Sequence, residues 1–352
     1  MNQERQDRFM IRSFHHSTIF ITIINILILT CCFSQVHALT PHSIKTLLIP
    51  KQQQQEPLHE FANKVVYVSG GSSGIGFATS LLFAQQGARV VFTARDFHPD
   101  WYTGAEAEMR INSDAQVIQS GGKALFVKCN VANYTEVREV IFGKIDKVFG
   151  RLDIAVNNAG IGGPSGNLVD LDPKYFHNVH DPLLNNAYGV LYQMKAQLEY
   201  WKSKKDNSTT KSIVNLTSYN GLRACPGCSM YSASKHAIIG LTQSVALEHI
   251  KATQDMPRVR VNALAPGLID TPLTRNQAKT LYEGVETWIG PLITENNPLW
   301  LKMKPELEKE LAGGRLGRPE EMAHVILYLS SEVRASYVSG TVVSADNGDT
   351  TK

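Results

Sequence analysis

Cysteine and net charge are both scarce in this 352-residue chain. Its 5 cysteines are too few for a small protein held together by disulfides. A net charge of +3 gives no strongly basic surface of the kind that binds nucleic acid. The sequence also has no internal repeat, which argues against a solenoid or a propeller. We therefore expect a globular protein with no nucleic-acid partner and no metal site.

The first 38 residues have the composition of a targeting segment. Arg5, Arg8 and Arg12 precede an apolar run at residues 19–33, and Val36 and Ala38 are the small residues expected before a cleavage site. The run has about 15 residues, fewer than the roughly 20 that span a bilayer. We interpret residues 1–38 as a signal peptide and residues 39–61 as a linker, which predicts the secretory pathway, either the lumen of the endoplasmic reticulum or secretion.

Two alternatives stay open for this segment. An uncleaved signal anchor would hold the protein at the endoplasmic reticulum membrane, with the domain in the lumen because positive charge precedes the run. A bipartite plastid signal is the other alternative. Residues 39–55 contain no acidic residue but include Ser43, Lys45, Thr46 and Lys51, as a transit peptide does.

Strand and helix patterns alternate from residue 64 onward. Short valine-rich runs such as residues 64–69 and 89–93 are typical of buried parallel strands, and amphipathic stretches follow them. Residues 62–350 therefore predict one α/β domain. Its fold is a single Rossmann-type doubly wound parallel sheet with helices on both faces.

A glycine-rich turn joins the first predicted strand to the first predicted helix. Strand, glycine turn and helix in this order place backbone N–H groups and a helix N-terminus against a pyrophosphate. The spacing is G-x-x-x-G-x-G and not the common G-x-G-x-x-G, so a purely structural turn is the alternative. The candidate dinucleotide contacts in the turn are Gly70, Ser72, Ser73, Gly74, Ile75 and Gly76.

Two more turns follow predicted strands. Asn157-Asn-Ala-Gly160 comes after a strand at residues 152–156, and Asn262-Ala-Leu-Ala-Pro266-Gly267 comes after a strand at residues 259–261. Small residues at a strand end allow a flat ligand to approach the backbone. Taken alone, each turn would be interpreted as an ordinary loop.

A tyrosine and a lysine lie four residues apart in Tyr231-Ser-Ala-Ser-Lys235, so a helix places them on one face. A free tyrosine has a pKa of about 10, and a fixed cation beside it favours the phenolate and lowers that pKa. Such a pair suits proton exchange with a carbonyl oxygen that gains negative charge during reduction. Ser218, upstream of the tyrosine, is a candidate hydrogen-bond partner for that oxygen, with Thr217 as the alternative.

Together and in this order, the motifs resemble the classical short-chain dehydrogenase/reductase family over residues 62–348. Within it the chain is most similar to the broad group of 3-oxoacyl-carrier-protein reductases and sugar-alcohol dehydrogenases. The resemblance implies an oxidoreductase that uses NAD(P) to interconvert a secondary alcohol and a ketone. It implies the catalytic set Asn186, Ser218, Tyr231 and Lys235, with Asn185 as the alternative to Asn186. The further cofactor contacts that it implies are Asn130, Val131, Asn158, Ala159, Gly160, Tyr231, Lys235, Pro266, Gly267, Ile269 and Thr271.

The end of the second predicted strand bears on the choice of cofactor. An acid there would bind the 2′-hydroxyl of NAD and repel a 2′-phosphate. Ala94 occupies the position and Arg95 follows it, so a guanidinium is placed to bind a phosphate. We expect NADP, with NAD as the alternative if Asp96 is the ribose acid in a shifted register. Asn130 stands where the family usually has an acid at the adenine edge.

The resemblance assigns residues 271–314 to a variable substrate lid. Trp288, Pro291, Trp300 and Met303 give it an apolar character, which favours a lipid, acyl or steroid-like carbonyl unless they pack inside the lid. Two alternative functions stay open: a plastid 3-oxoacyl reductase of fatty-acid synthesis, and a non-catalytic dinucleotide-binding protein. The family also implies a homodimer or homotetramer that pairs through helices near residues 184–201 and 231–251.

The loop between Ser218 and Tyr231 contains Cys225-Pro-Gly-Cys228, which has the spacing of a redox motif. We interpret these cysteines as plain loop residues, with a short disulfide as the alternative. Glycosylation sequons begin at Asn133, Asn207 and Asn215. Asn207 is the favoured acceptor because residues 202–211 are polar and predict a surface loop.

Overall fold

The computed structural model describes residues 60–95, 103–178, 180–283 and 294–351. The chain divides into two compact units, Met1–Leu58 and His59–Lys352, and every described residue belongs to the second. The predicted signal segment and most of the predicted linker therefore lie outside the described residues. In the part that is described, no helix is both long enough and apolar enough to cross a membrane.

A single parallel sheet is the centre of the described unit. Its order is β3-β2-β1-β4-β5-β6-β7, so the predicted fold class is confirmed. The direction of strand addition reverses between β1 and β4, and sheets of this type bind ligands in the crevice at the carboxyl ends of those strands. The strands are β1 Val65–Ser69, β2 Arg89–Ala94, β3 Lys123–Lys128, β4 Ile154–Asn157, β5 Lys211–Leu216, β6 Val259–Pro266 and β7 Val342–Ala345.

Helices cover both faces of this sheet. Helices α1, α2, α3 and α9 contribute to one apolar cluster with Val66 and Val68, and α4, α5 and α6 contribute to another with Val65 and Tyr67. All of β1 is buried, as a strand with both faces covered must be. The helices are α1 Gly74–Gln85, α2 Gly104–Asn112, α3 Ala115–Ser120, α4 Tyr134–Arg138 (continuing as Glu139–Ile145 and Asp146–Phe149), α5 Leu183–Tyr188 (continuing as Gly189–Lys204), α6 Ser229–His249, α7 Pro272–Glu283, α8 Pro298–Lys309 and α9 Pro319–Ser330.

Several predicted boundaries were wrong. Phe61, which the sequence placed in the linker, is buried and packs edge-on against Phe83 with ring centroids 5.0 Å apart. Strand β6 runs through Pro266, so most of the Asn262–Gly267 motif is strand and not turn. Its residues pair with β7, which the short apolar pattern at residues 259–261 did not indicate. The predicted loop at residues 202–211 is shorter, because α5 extends to Lys204 and β5 begins at Lys211.

The predicted lid comprises α7 and α8, and residues 284–293 between them, including Trp288 and Pro291, lie outside the described residues. Trp300 and Met303 are 1% and 4% exposed and cluster with Ala278 and Leu316. The alternative of packing inside the lid therefore holds for these two side chains. They do not provide an apolar surface for a substrate.

Candidate active site

The glycine turn brings the start of α1 close to the end of β1, because its glycines have no Cβ atom that would collide there. Gly70 and Gly74 have φ angles of +65° and +52°, which favour glycine. A Cβ on Gly76 would overlap the Gly70 carbonyl and lie 2.6 Å from Asn158 Nδ2. Ser73 is the N-cap residue of α1, and its side chain makes no capping hydrogen bond in the described structure. The N–H groups of this first turn are thus available to an anionic group.

Ser69 ties the glycine turn to the turn after β4. Its Oγ accepts hydrogen bonds from the backbone N–H groups of Asn158 and Ala159, each at 3.0 Å. Asn158 returns the contact, since its Nδ2 donates to the carbonyl oxygens of Ser69 at 2.9 Å and Gly70 at 3.3 Å. The two motifs found separately in the sequence therefore form one hydrogen-bonded unit at the switch point of the sheet.

The residues predicted to contact adenosine lie at the ends of β2 and β3. Arg95 follows β2 and has an exposed side chain, while Asp96 lies outside the described residues. Asn130 is half-buried, and its Oδ1 accepts a hydrogen bond from the N–H of Ala132. Val131 is 7% exposed and approaches Gly189. The Asn130 side chain thus stabilises the turn that follows β3 by accepting this hydrogen bond. The carboxylate of an acid at this position could accept the same bond.

The residues predicted at the nicotinamide end lie where β6 leads into the lid. Gly267 donates its N–H to the Ala345 carbonyl oxygen at 3.1 Å, and a Cβ there would lie 2.9 Å from Asp346 Cα. Ile269 pairs with Gly317 and is buried. Thr271 lies 3.2 Å from the position of a Cβ on Gly74, so the lid begins beside the glycine turn.

Ser218, Tyr231 and Lys235 converge at the carboxyl end of β5. Helix α6 carries the tyrosine and the lysine, and Ser218 is close enough to the Tyr231 hydroxyl to act on its pKa. Lys235 Nζ lies 5.5 Å from the centroid of the tyrosine ring and donates to the Leu216 carbonyl oxygen at 2.9 Å. The alternative, Thr217, points elsewhere, because its hydroxyl donates to the backbone oxygen of Lys235 at 2.8 Å.

Burial dominates the electrostatics of this group. It raises the pKa of Tyr231 to about 12, although the hydrogen bond with Ser218 acts in the opposite direction. Burial likewise lowers the pKa of Lys235 to about 8. A lysine beside a tyrosine is expected to lower the pKa of the phenol, but here the desolvation of both groups is the larger effect. Tyr231 is thus a neutral phenol near pH 7, which can donate a proton.

Asn186 lies in the first stretch of α5, Leu183–Tyr188, which is a π-helix. Its Oδ1 accepts from the Ile161 N–H at 2.8 Å, and its Nδ2 donates to the Ile161 carbonyl oxygen and to Ser234 Oγ, both at 3.0 Å. A Cβ on Gly160 would lie 3.0 Å from Asn186 Oδ1 and 3.5 Å from Lys235 Nζ. Asn185 instead donates to the Asp181 carbonyl oxygen. Of the two asparagines, Asn186 is therefore the one that meets the site.

Sequence reasoning missed the polar residues that hold the site in place. Ser69 is the last residue of an apolar run, and nothing in the sequence indicates which groups it binds. Ser234 lies within the Tyr231–Lys235 motif, but the motif gives it no role. Ser234 Oγ donates to the Tyr231 carbonyl oxygen at 2.7 Å, so it connects Asn186 to α6. Behind the site, a buried amide network joins strands β4 and β5 to helices α5 and α6. Its members are Asn157, Gln197, Asn215 and Thr242.

Comparison with known proteins agrees with this architecture. Residues 70–350 match a family model described as enoyl-(acyl carrier protein) reductase. The chain belongs to the classical short-chain dehydrogenase/reductase family. It is similar to a 3beta-hydroxysteroid dehydrogenase of Mediterraneibacter gnavus, with 33% identity over 294 residues that cover 83% of this chain and 96% of the relative.

Two further similar proteins act on different substrates, as their names state. A 3-oxoacyl-(acyl-carrier-protein) reductase of Thermotoga maritima is 34% identical over 289 residues, which cover 81% of this chain and 97% of the relative. The crystal structure of a levodione reductase has a TM-score of 0.66 and 28% identity, with 83% of this chain and 99% of that chain covered. The chain is thus an NAD(P)-dependent oxidoreductase that acts on alcohol or ketone groups, and the predicted enzyme class is confirmed.

Proposed function

We propose that this short-chain dehydrogenase/reductase is NADP-dependent and interconverts a secondary alcohol and a ketone, with Tyr231 as the general acid and base. The observation that carries the proposal is the placement of Ser218, Tyr231 and Lys235. Ser218 is close enough to the phenol to act on its pKa, and the ammonium lies 5.5 Å from the ring centroid. A protein that only binds a dinucleotide has no need of all three side chains.

Each of the three side chains has a separate task. Tyr231 donates its proton to the carbonyl oxygen as negative charge develops there. Ser218 holds the same oxygen, because it lies beside the phenol at the carboxyl end of β5. Lys235 is 5% exposed, and its charge stabilises the phenolate that proton donation leaves behind. In oxidation the phenolate accepts the proton, and the roles reverse.

The residues present fit a dinucleotide. The crowded Gly76, the positive φ angles of Gly70 and Gly74, and the first turn of α1 form a cradle that accepts a pyrophosphate and excludes side chains. Asn158, Ala159 and Gly160 line the crevice beside it, and Pro266, Gly267, Ile269 and Thr271 border its other end. When bound, the nicotinamide supplies or accepts the hydride. Arg95 would bind the 2′-phosphate of NADP, since this exposed residue follows β2 at the place where Ala94 replaces an acid.

The substrate is a carbonyl compound of apolar character. The two curated relatives described above are named for a steroid and an acyl-carrier substrate, which supports an apolar substituent on the carbonyl carbon. The second of these names also favours a 3-oxoacyl thioester as the alternative, which would match a plastid address. A panel of ketosteroids, cyclic ketones and 3-oxoacyl thioesters, followed by NADPH absorbance with NADH in parallel, tests the proposal. Turnover of none of them, or equal rates with both cofactors, would contradict it.

We also propose that residues 1–38 direct the protein to the secretory pathway, with an endoplasmic reticulum anchor or a plastid as the alternatives. Asn207 would then carry a glycan: it is exposed between α5 and β5, whereas Asn133 uses its Oδ1 to cap α4. Asn215 is fully buried. Expression in a eukaryotic cell, N-terminal sequencing and a glycosidase mobility shift test this. An N-terminus near Leu39 together with a glycan supports the secretory pathway. An N-terminus near residue 55 without a glycan supports the plastid.

A further inference from the structure

The Cys225–Cys228 turn lies next to the candidate catalytic residues and has no role in the mechanism above. Its backbone is a β-turn, because the Cys228 N–H donates to the Cys225 carbonyl oxygen at 3.1 Å. Pro226 and Gly227 occupy the central positions, and Gly227 has a φ of +75°, as a type II turn requires. Such a turn keeps the two outer Cα atoms within about 7 Å, close to the separation that a disulfide spans.

The two thiols of this turn are close enough to influence each other. The neighbouring Cys225 contributes to the raised pKa of Cys228, the Cys225 Sγ donates to the Pro226 carbonyl oxygen at 3.6 Å, and both residues are half-buried free thiols. Cys129 differs, because it is 1% exposed inside the core. The described chain therefore offers one pair of adjacent thiols that a small reagent can reach, and one isolated thiol that it cannot.

The same turn is joined to two segments that border the active site. Cys228 is the N-cap residue of α6, and its carbonyl oxygen accepts from the Ser232 N–H at 2.8 Å, one residue beyond Tyr231. The Gly227 carbonyl oxygen accepts from the Gly166 N–H at 2.9 Å, which attaches the segment that follows β4. A negative charge on either cysteine would raise the pKa of Tyr231, so the turn and the phenol are electrostatically coupled.

We propose that Cys225 and Cys228 are a redox modification site, a dithiol that a low-molecular-weight disulfide converts reversibly into an intramolecular disulfide. Closure brings the two sulfur atoms to a separation of about 2.05 Å. The turn must tighten to allow this, and it moves the start of α6 and the segment attached at Gly166. Closure therefore restricts the substrate side of the active site while leaving the glycine turn and Arg95 untouched.

The reaction balances as two thiol–disulfide exchanges. The thiolate of Cys225 attacks one sulfur of the small disulfide, which forms a mixed disulfide and releases one small thiol. Cys228 then loses its proton, attacks the Cys225 sulfur and releases the second small thiol. The protein gives up two electrons and two protons, and the small disulfide becomes two thiols. Cys225 attacks first because burial and the neighbouring thiol raise the pKa of Cys228 to about 12.

The test uses the full chain with Cys31 and Cys32 replaced by serine, oxidised glutathione as the probe and intact-protein mass spectrometry as the first readout. We expect the wild type to lose about two mass units and two titratable thiols, consistent with the loss of two hydrogens in thiol–disulfide exchange, and to recover both with dithiothreitol. The Cys225→Ser and Cys228→Ser variants should carry at most one glutathione adduct. The double variant, which keeps Pro226 and Gly227, is the matched control and should not react. A stable mixed disulfide in the wild type, or no reaction, would overturn the proposal.

The second readout rests on the proposed function. Once an active carbonyl substrate is found, we expect oxidation of the wild type to raise the KM for that substrate at least threefold. In the double variant the same treatment should leave this KM unchanged. The affinity for NADPH should stay unchanged in both proteins. A disulfide that forms without any change in KM would also overturn the proposal. If no carbonyl is reduced, the proposed function fails instead, and amide hydrogen exchange at residues 219–235 replaces the kinetic readout. We then expect this exchange to become slower after oxidation in the wild type and to stay the same in the double variant.

Discussion

Tyr231 is the residue on which the proposed chemistry depends most. Tyr231→Phe keeps the ring and its packing and removes only the proton that the carbonyl oxygen receives. We expect turnover to fall by roughly 10²- to 10⁴-fold, the usual range for general acid–base catalysis. NADPH binding, followed by fluorescence, should stay nearly unchanged. Tyr188→Phe, at a tyrosine that is 51% exposed, is the matched control. A Tyr231→Phe variant with more than about a tenth of the wild-type rate would refute the role.

Arg95 decides the choice between the two dinucleotides in our proposal. The residue is exposed after β2, beside Ala94, although burial lowers the pKa of its guanidinium. Charge-assisted hydrogen bonds contribute roughly 1.5–3 kcal/mol, so Arg95→Ala should raise the KM for NADPH about tenfold or more. The KM for NADH serves as the internal control and should change little. Equal increases for both cofactors would show that Arg95 does not bind the 2′-phosphate.

Lys235 is a buried cation, and its cost to stability depends on pH. Burial lowers its pKa from 10.5 to about 8, so between these values the unfolded state binds more protons than the folded state. The free energy of unfolding therefore rises with pH across that window as far as Lys235 contributes to it. Below pH 8 the full destabilisation from burying the charged lysine is present. Lys235→Met removes the charge and keeps a long apolar chain.

We expect the free energy of unfolding of the cofactor-free Lys235→Met variant to exceed that of the wild type by roughly 1–3 kcal/mol at pH 7, since each pKa unit is worth about 1.4 kcal/mol. The difference should shrink between pH 8 and 10.5, while activity is lost at every pH. Urea unfolding of both proteins across this range measures it. A difference that stays constant with pH would mean that Lys235 is not charged and buried as described.

At the scale of elements, the turn between β1 and α1 has the least room for change. Gly76→Ala would place a methyl group against the Gly70 carbonyl and 2.6 Å from Asn158 Nδ2, and both must move. Overpacking of this kind typically costs 1–3 kcal/mol. We expect a lower melting temperature and at least a tenfold loss of NADPH affinity, because the displaced atoms form the pyrophosphate cradle.

Gly240→Ala is the matched control for that substitution. It introduces the same methyl group in helix α6, where nothing lies within 4 Å of the added Cβ. Removing a helical glycine stabilises the single chain by about 0.5–1 kcal/mol, so at a concentration at which both proteins are monomeric the control should melt no lower than the wild type and bind NADPH normally. Similar behaviour of the two variants would show that the crowding at Gly76 is relieved without cost.

At the scale of the whole molecule, we expect self-association through α6. The structure corrects one detail of the sequence argument, since Ala237 faces outward and not toward the sheet, whereas Leu241 and Val245 pack on the core. The outward stripe is made of small residues with Leu247, which is 79% exposed, at one end. Small residues allow two copies of a helix to approach closely across a two-fold axis. The stripe comprises Ala233, Ala237, Gly240 and Ser244.

Gly240→Arg tests this interface. The open space around Gly240 lets one chain accept the larger side chain without a change in its own packing, whereas two arginines would meet across the axis. We expect light scattering at micromolar concentration to give a dimer or tetramer for the wild type and a smaller species for the variant. A wild type with the mass of one chain would contradict the prediction, as would a variant that still assembles normally.

The sequence by itself determined the fold class and most of the candidate site, because those signals are local. A valine-rich strand followed by glycines and a helix forms a turn whatever lies around it, and a spacing of four residues puts Tyr231 and Lys235 on one helix face. The same holds for Ser218 after β5. Local order along the chain, repeated at several strand ends, was sufficient to identify the family.

Only the tertiary structure decided what depends on distant residues meeting. The contact of Ser69 with Asn158 joins positions that are 89 residues apart, and the bond from Asn186 to Ser234 joins positions 48 apart. The pKa of Tyr231 rises because the fold removes water from it, which no spacing can indicate. Trp300 turned inward because α7 and α8 supply neighbours for it. Burial and long-range hydrogen bonds are properties of the folded chain, so a pattern along the sequence cannot contain them.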